Sequence, residues 1–289
     1  VAAMAAHESA VEFIAGDLAS GDGKALELDR RGLTVSAVRS TSDPQFGIGF
    51  EALWNEFGSQ GEMESQEVIA RRLGWAPATS VGGRWLRYEM ILVRHQGEFV
   101  AVRDHTAVVT NETSPTGPGA VVHLSHVLIH PTWRRTGLAG WLRAWPIQTA
   151  RVCLFRAGCP VTSPITLVAE MEHPDPQFPN RLIRLAAYEK AGFKKVASDL
   201  VNYFQPDFRS PARIDATGGP QPLPFGLVIR RVGREEEDFI SGEELKQLVQ
   251  SLYHMYATGF RERDMTLLWQ KLEEYPPGAA RVPLVPATR

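Results

Sequence analysis

Cysteine is scarce in this chain: Cys153 and Cys159 are the only two among 289 residues. Two thiols cannot build a disulfide framework, which leaves a reducing compartment, the cytoplasm, as the expected location. Long apolar runs are missing as well, since none approaches the ~18 residues that a spanning helix needs. The opening stretch VAAMAAHESAVEFIAGDL holds acids but no Lys or Arg, so it lacks the basic start of a secretory signal. It reads instead as an amphipathic helix presenting Phe13, Ile14 and Leu18. Neither sign of charge prevails, because 31 Lys and Arg face 33 Asp and Glu for a net charge of −2. Partnership with nucleic acid through bulk electrostatics is therefore not expected, nor is a membrane partner. No Walker lysine motif and no Gly-x-Gly-x-x-Gly follows a strand, which argues against a generic nucleotide site.

What is present is an ordinary globular composition, 44% hydrophobic and 22% charged, without internal repeats. Residues 33–39 predict a strand. Residues 44–57 predict a helix with Phe46, Phe50, Leu53, Trp54 and Phe57 near one face, and 62–73 a second helix. Strands over 85–94 and 98–109 flank the tight turn Gln96-Gly97 as a hairpin, and NETSPTGPG (111–119) reads as a turn-rich loop. A strand over 121–129 then leads to a helix from Thr136, which Pro146 should end or kink near Trp145. A strand over 165–171 and a helix over 180–191 follow, with Gly192 placed for a left-handed cap. Residues 193–204 predict one or two strands, and the Pro/Gly-dense 205–226 a linker. After a strand over 227–232, the acidic run 235–238 reads as a solvated helix start. Leu245, Leu248, Val249, Leu252, Met255 and Tyr256 form one helical stripe and Leu267, Leu268 and Leu272 another. The tail beyond Tyr275 reads as irregular.

The stretch 121–142, VVHLSHVLIHPTWRRTGLAGWL, is the most informative. An apolar strand ends at His130-Pro131, a basic turn follows, and Gly137-Leu138-Ala139-Gly140 opens a helix. Such a junction gathers unpaired backbone N–H groups at the positive end of a helix dipole, which suits an anion, most often phosphate. Gly137 and Ala139 are positions where a backbone can approach a ligand closely.

The segment from Val127 to Ala139, with Arg134-x-x-Gly137-x-Ala139 at its centre, resembles the acetyl-CoA signature of the GNAT acyltransferase superfamily. Ala187-Tyr188-Glu189-Lys190-Ala191-Gly192-Phe193 is similar to the family's later Tyr-x-x-x-Gly-Phe element. The resemblance covers about residues 33–204. It implies an α/β fold, a GNAT-like mixed, largely antiparallel central sheet flanked by helices on both faces, here with an extra C-terminal helical segment. It implies that backbone amides from Arg135 through Thr136, Gly137, Leu138 and Ala139 to Gly140 hold the pyrophosphate of acetyl-CoA (an acyl-CoA co-substrate), with Arg134 and Arg135 adding charge. It also implies that pantetheine lies along Val127, Leu128 and Ile129, where a backbone N–H would stabilise the oxyanion, and that Tyr188 protonates the departing thiolate or serves only to position. A family Asn near the pantetheine falls at Arg181 here, and Asn180 lies one residue away.

Three residues are candidates for the base that takes a proton from an attacking amine: His123 and His126 on the fourth family strand, and Glu170 on the fifth. Glu89 and Tyr88 stand behind them. Strand alternation sends His123 and His126 to opposite faces, so His-x-x-His is not expected to hold a metal. Trp141 and Trp145 read as core. The loop Glu172-His173-Pro174-Asp175-Pro176 reads as a surface turn that could also line an acceptor mouth.

These features divide the chain into an N-terminal helical extension (1–32), an acyltransferase domain (33–204), a linker (205–226) and a strand plus helices (227–289). The expected activity is acyl, chiefly acetyl, transfer from acyl-CoA to a small-molecule amine or a peptide amino group by direct attack. The alternative is a catalytically silent acyl-CoA sensor or interaction module. The C-terminal helices could cover the acceptor cleft, pack on the sheet or pair with a second chain as a homodimer.

Overall fold

The computed structural model describes residues 11–110 and 117–289. Residues 1–10 of the expected N-terminal helix and 111–116 of the turn-rich loop lie outside the described residues. The chain divides into two units, the first of residues 1–107 and 124–162, the second of residues 108–123 and 163–289. Its sheet is mixed and largely antiparallel and is flanked by helices.

In the first unit, β1 (Leu33–Ala37) runs antiparallel to β3 (Arg84–His95), from Leu33 opposite His95 to Ala37 opposite Ile91. A short strand that sequence reading missed, β2 (Thr79–Val81), pairs with β3 beside it. β3 and β4 (Glu98–Val109) are joined by Gln96 and Gly97, both with positive φ, as the tightest hairpin turns require. Helix α1 (Pro44–Phe57) matches the expected bounds. Asp43 caps it by accepting the Gln45 N–H, and Pro44 opens its first turn without a missing hydrogen bond. α2 is shorter than expected (Gln66–Leu73).

Helix α3 (Leu138–Arg156) passes through Pro146 without ending, so of the end or kink expected there the first does not occur. An interior proline costs about 3 kcal/mol. Leu142, Ile147 and Leu154 on the same helix are fully buried, each worth about 1.5–3 kcal/mol, so packing outweighs the lost donor. Trp141 and Trp145 belong to the core with Ile91, Val93 and Val100 of the hairpin.

Over its described residues, from 11 onward, the N-terminal segment is not the expected amphipathic α-helix. It forms two 3₁₀ stretches, 15–17 and 20–27, and runs as a strap along α3. Phe13 packs edge-on against both Trp141 and Trp145. The indole N–H groups of those tryptophans donate to the carbonyls of Ala25 and Glu12, both at 2.8 Å. Asp17 and Asp22 pair with Arg151 and Arg143.

In the second unit, the start of β5 (Ala120–Ile129) lies parallel to β6 (Ile165–Met171), from Ala120 opposite Ile165 to His123 opposite Val168. β7 (Lys194–Val196) and β8 (Tyr203–Gln205) follow α4 (Pro179–Lys190). The stretch expected as a linker holds α5 (Pro211–Ala216) and the start of β9 (Leu223–Arg231), and β9 lies antiparallel to both β6 and β7. The acidic run 235–238 precedes β10 (Phe239–Ser241) instead of starting a helix. Its Glu235, Glu237 and Asp238 pair with Arg230, Arg231 and Lys194. α6 (Gly242–Ala257) and α7 (Glu262–Glu273) pack on each other. The tail after them is ordered, with β11 (Arg281–Pro286) antiparallel to β7 and β10.

Candidate active site

The strand-to-helix junction in the first unit has the geometry its sequence predicts. A 3₁₀ turn, 131–133, follows β5, and His130 N–H reaches the Val100 carbonyl at 2.8 Å. Arg135 has φ 65° and Gly137, the N-cap of α3, has φ 98°. The Thr136 hydroxyl donates to the Trp133 carbonyl at 2.7 Å and braces the turn. Arg134 and Arg135 are exposed, Thr136, Gly137 and Ala139 are half-buried, and Leu138 and Gly140 are buried. Within the turn Arg134 Nε donates to the Ile129 carbonyl at 3.3 Å, Leu138 N–H to the Thr136 hydroxyl at 3.5 Å and Gly140 N–H to the Gly137 carbonyl at 3.1 Å. Exposed guanidinium groups beside a helix start form a donor set suited to a polyanion.

The glycines have a second role that sequence reading did not identify. A Cβ on Gly137 would lie 2.4 Å from the Lys24 carbonyl oxygen, and one on Gly140 would meet Ala25 and Asp22 at 3.0 Å. The absent side chains therefore admit the N-terminal strap. Val127, Leu128 and Ile129 are half-buried, and Val127 and Ile129 pack against the hairpin core.

His126, also in the first unit, is buried and paired twice. Its Nδ1 lies 2.9 Å from Asp104 Oδ1, and its backbone N–H donates to the same oxygen at 2.9 Å. Its Nε2 meets the Glu62 carbonyl at 3.0 Å. A carbonyl can only accept, so Nε2 carries a proton, and the carboxylate favours one on Nδ1 too. Burial alone would lower the His126 pKa, but the Asp104 charge overrides it and raises it to about 9. Asp104 would be raised by burial, yet His126 and the Tyr88 hydroxyl, 2.9 Å away, hold it below the usual range. A histidine already charged at neutral pH cannot take another proton, so His126 is a clamp. Tyr88 is committed to Asp104. Glu89 accepts from Thr149 at 2.7 Å and, although burial would raise it, Arg87 and His105 keep it low.

Glu170 in the second unit has four donors. Oε2 accepts from His123 Nε2 at 2.9 Å, Gln205 Nε2 at 2.9 Å and the Tyr256 hydroxyl at 2.6 Å, while Oε1 accepts from the Tyr203 hydroxyl. Burial would raise this carboxyl, but His123 and the tyrosine hydroxyls hold it below the usual range. A carboxylate so fully engaged is a poor base. His123 donates to this carboxylate through Nε2.

Tyr188 is half-buried on α4, edge-on to Phe193 with ring centres 4.9 Å apart. Gly192, at φ 81°, closes the helix as expected, and Phe193 N–H returns to the Tyr188 carbonyl at 3.0 Å. Among the described residues no hydrogen bond engages the Tyr188 hydroxyl. Asn180 is exposed in the first turn of α4, while Arg181 pairs with Glu172 and lies over the Phe178 ring. Glu172 also pairs with Arg184, which makes its loop a tethered surface turn.

The structure thus joins His123 to Glu170 and gives His126 a different carboxylate. Among the described residues no cluster of three His, Cys, Asp or Glu is arranged to hold a metal, and no helix is long and apolar enough to cross a membrane. Both cysteines are buried, and neither forms a disulfide among the described residues. Asp104, Tyr203, Gln205, Tyr256 and the strap were not singled out as site residues. Asp104 had a signal, a carboxylate inside the apolar strand sequence VAVRDHTAVV.

No family model matches the chain, and no curated protein matches it. Among solved structures, an acyl-CoA N-acyltransferase from Pseudomonas aeruginosa is similar at 17% identity, over 68% of this chain and 99% of that one, with a TM-score of 0.33. An acetyltransferase of the GNAT family from Streptococcus pneumoniae is similar at 12% identity, over 69% and 99%, with a TM-score of 0.36. An aminoglycoside acetyltransferase from an uncultured soil metagenomic sample, in complex with trehalose, is similar at 12% identity, over 54% and 87%, with a TM-score of 0.33.

Proposed function

We propose that this chain is a GNAT-type acyl-CoA-dependent N-acyltransferase, chiefly an acetyltransferase, acting on a primary amine of a small molecule or peptide. The observation that carries the reading is the 134–140 turn, with its two left-handed residues, two exposed arginines and the start of a nineteen-residue helix. Acyl-CoA supplies an activated thioester carbonyl and a thiol leaving group when bound. The turn amides and Arg134 and Arg135 would hold its pyrophosphate, and the backbone of Val127 to Ile129 its pantetheine arm.

His123 is assigned the proton from the amine, directly or through water. The assignment follows from the two alternatives: His126 already carries its proton, and Glu170 has four donors on its oxygens. Glu170 then fixes the His123 ring by accepting Nε2–H, as a carboxylate orients the histidine of a hydrolase triad. Tyr188, whose hydroxyl has no hydrogen bond among the described residues, is assigned the proton that the leaving thiolate needs.

Thermal unfolding with and without CoA, together with thiol release from acetyl-CoA over a panel of amines, tests the reading. Stabilisation with amine-dependent thiol release is expected. Stabilisation without thiol release would indicate a silent acyl-CoA sensor. Tyr188→Phe is expected to lower kcat by about 10²-fold, and unchanged turnover would remove Tyr188 from the acid role.

A further inference from the structure

The donors that hold Glu170 come from widely separated parts of the chain. Gln205 and Tyr256 lie beyond the residues that the acyltransferase resemblance covers, and Tyr256 sits on α6, 86 positions after Glu170 in sequence. Both phenols are fixed by neighbouring rings. Tyr203 stacks on Tyr253 with centres 5.7 Å apart, and the Tyr253 hydroxyl donates to the Phe204 carbonyl at 2.9 Å. Tyr256 packs against Phe208 and Phe260 at 5.7 and 5.9 Å. The Tyr256 oxygen also lies 3.4 Å from His123 Nε2, and the two rings meet edge-on at 5.6 Å. The groups facing Glu170 are therefore one imidazole, one amide and two phenols, with Tyr253 behind them.

Each phenol can donate to a carboxylate without giving up its proton. Burial and the adjacent Glu170 charge push Tyr203 well above its ordinary range, so the proton stays on the phenol. Neutral donors arranged in this way stabilise the anion and leave its charge in place. The geometry points to Tyr203 and Tyr256 as positioning residues that keep Glu170 a constant acceptor for His123 Nε2–H, which makes the C-terminal helix α6 part of the acid–base centre. This rests on the reading of His123 as proton acceptor.

Tyr256→Phe and Tyr203→Phe in the full chain test the inference, because each keeps its ring packing and removes one hydroxyl. Two quantities are read: the ¹³C titration of the Glu170 carboxyl, and the pH profile of kcat/KM with acetyl-CoA. Losing a donor destabilises the anion. The Glu170 titration is therefore expected to move up by about one pH unit, and the acid limb of kcat/KM to move in the same direction. kcat at neutral pH should fall about tenfold while KM for acetyl-CoA stays within about twofold, since one hydrogen bond to a charged group is worth about that factor. A Glu170 titration that stays in place in both variants overturns the inference, whatever the rate. A wild-type rate in His123→Ala instead overturns the proton-acceptor reading and with it the catalytic part of the inference.

Discussion

The two carboxylate–histidine pairs, Asp104–His126 and Glu170–His123, share a nitrogen–oxygen distance of 2.9 Å and near-complete burial, yet they suit opposite tasks. The difference lies in what else each member touches. Asp104 takes a backbone N–H from His126 as well as its ring, and the far nitrogen of that ring is capped by the Glu62 carbonyl. Both ring nitrogens are donors, the imidazole is locked in its charged form, and the pair fastens the stretch before α2 to the sheet. In the other pair the extra partners gather on the carboxylate: two phenols and an amide stabilise Glu170 as an anion, and His123 donates to it through Nε2. A histidine held at both nitrogens by acceptors is a structural cation. Under the proposed function the other histidine, oriented through Nε2 by a fixed anion, takes the proton of the amine.

Replacing each histidine should separate the two roles. His126→Ala leaves the Asp104 charge buried without its ring partner and is expected to destabilise the fold by about 3–5 kcal/mol, read as a lower urea midpoint at neutral pH. His123→Ala leaves Glu170 with three donors and should change the midpoint by less than half of that. Equal losses in the two variants would break the comparison.

Alkaline pH should sharpen it. Because the folded pKa of His126 is raised from 6.5 to about 9, the pair contributes stability that is fully present below about 6.5 and is lost as pH rises through about 9. Urea midpoints should therefore fall between pH 7 and 10 in the wild type by an increment that is missing in His126→Ala. A smaller change is expected from Phe57→Leu, since the Phe57 ring lies 5.0 Å from the His126 ring and covers it. A loss of about 1 kcal/mol, without change in the alkaline increment, would mark packing alone.

Local signals in the sequence were strong where the interactions are local. Pro44, the Asp43 cap and the aromatic spacing define α1 to the residue, Gln96-Gly97 defines the hairpin, and Gly192 the end of α4. The 121–142 junction was legible because its helix start and basic turn are contiguous. The chemistry of the histidines was not, since it is set by partners 22 and 47 positions away in sequence. Alternation along β5 shows that His123 and His126 diverge, but it cannot name the carboxylate each one meets. β11 was missed because its value comes from pairing with β7 and β10, which a Pro-rich hexapeptide does not reveal. From residue 11 onward the strap departs from the helical spacing of its apolar residues, because its hold on α3 comes from the Trp141 and Trp145 indoles and two Asp–Arg pairs.

The most direct measurement is kcat/KM for amine-dependent thiol release from acetyl-CoA by His123→Ala, in protein whose urea midpoint shows it folded. A fall of about 10³-fold with KM for acetyl-CoA within about twofold is predicted, the scale of a lost general base. Turnover at the wild-type rate would contradict the account.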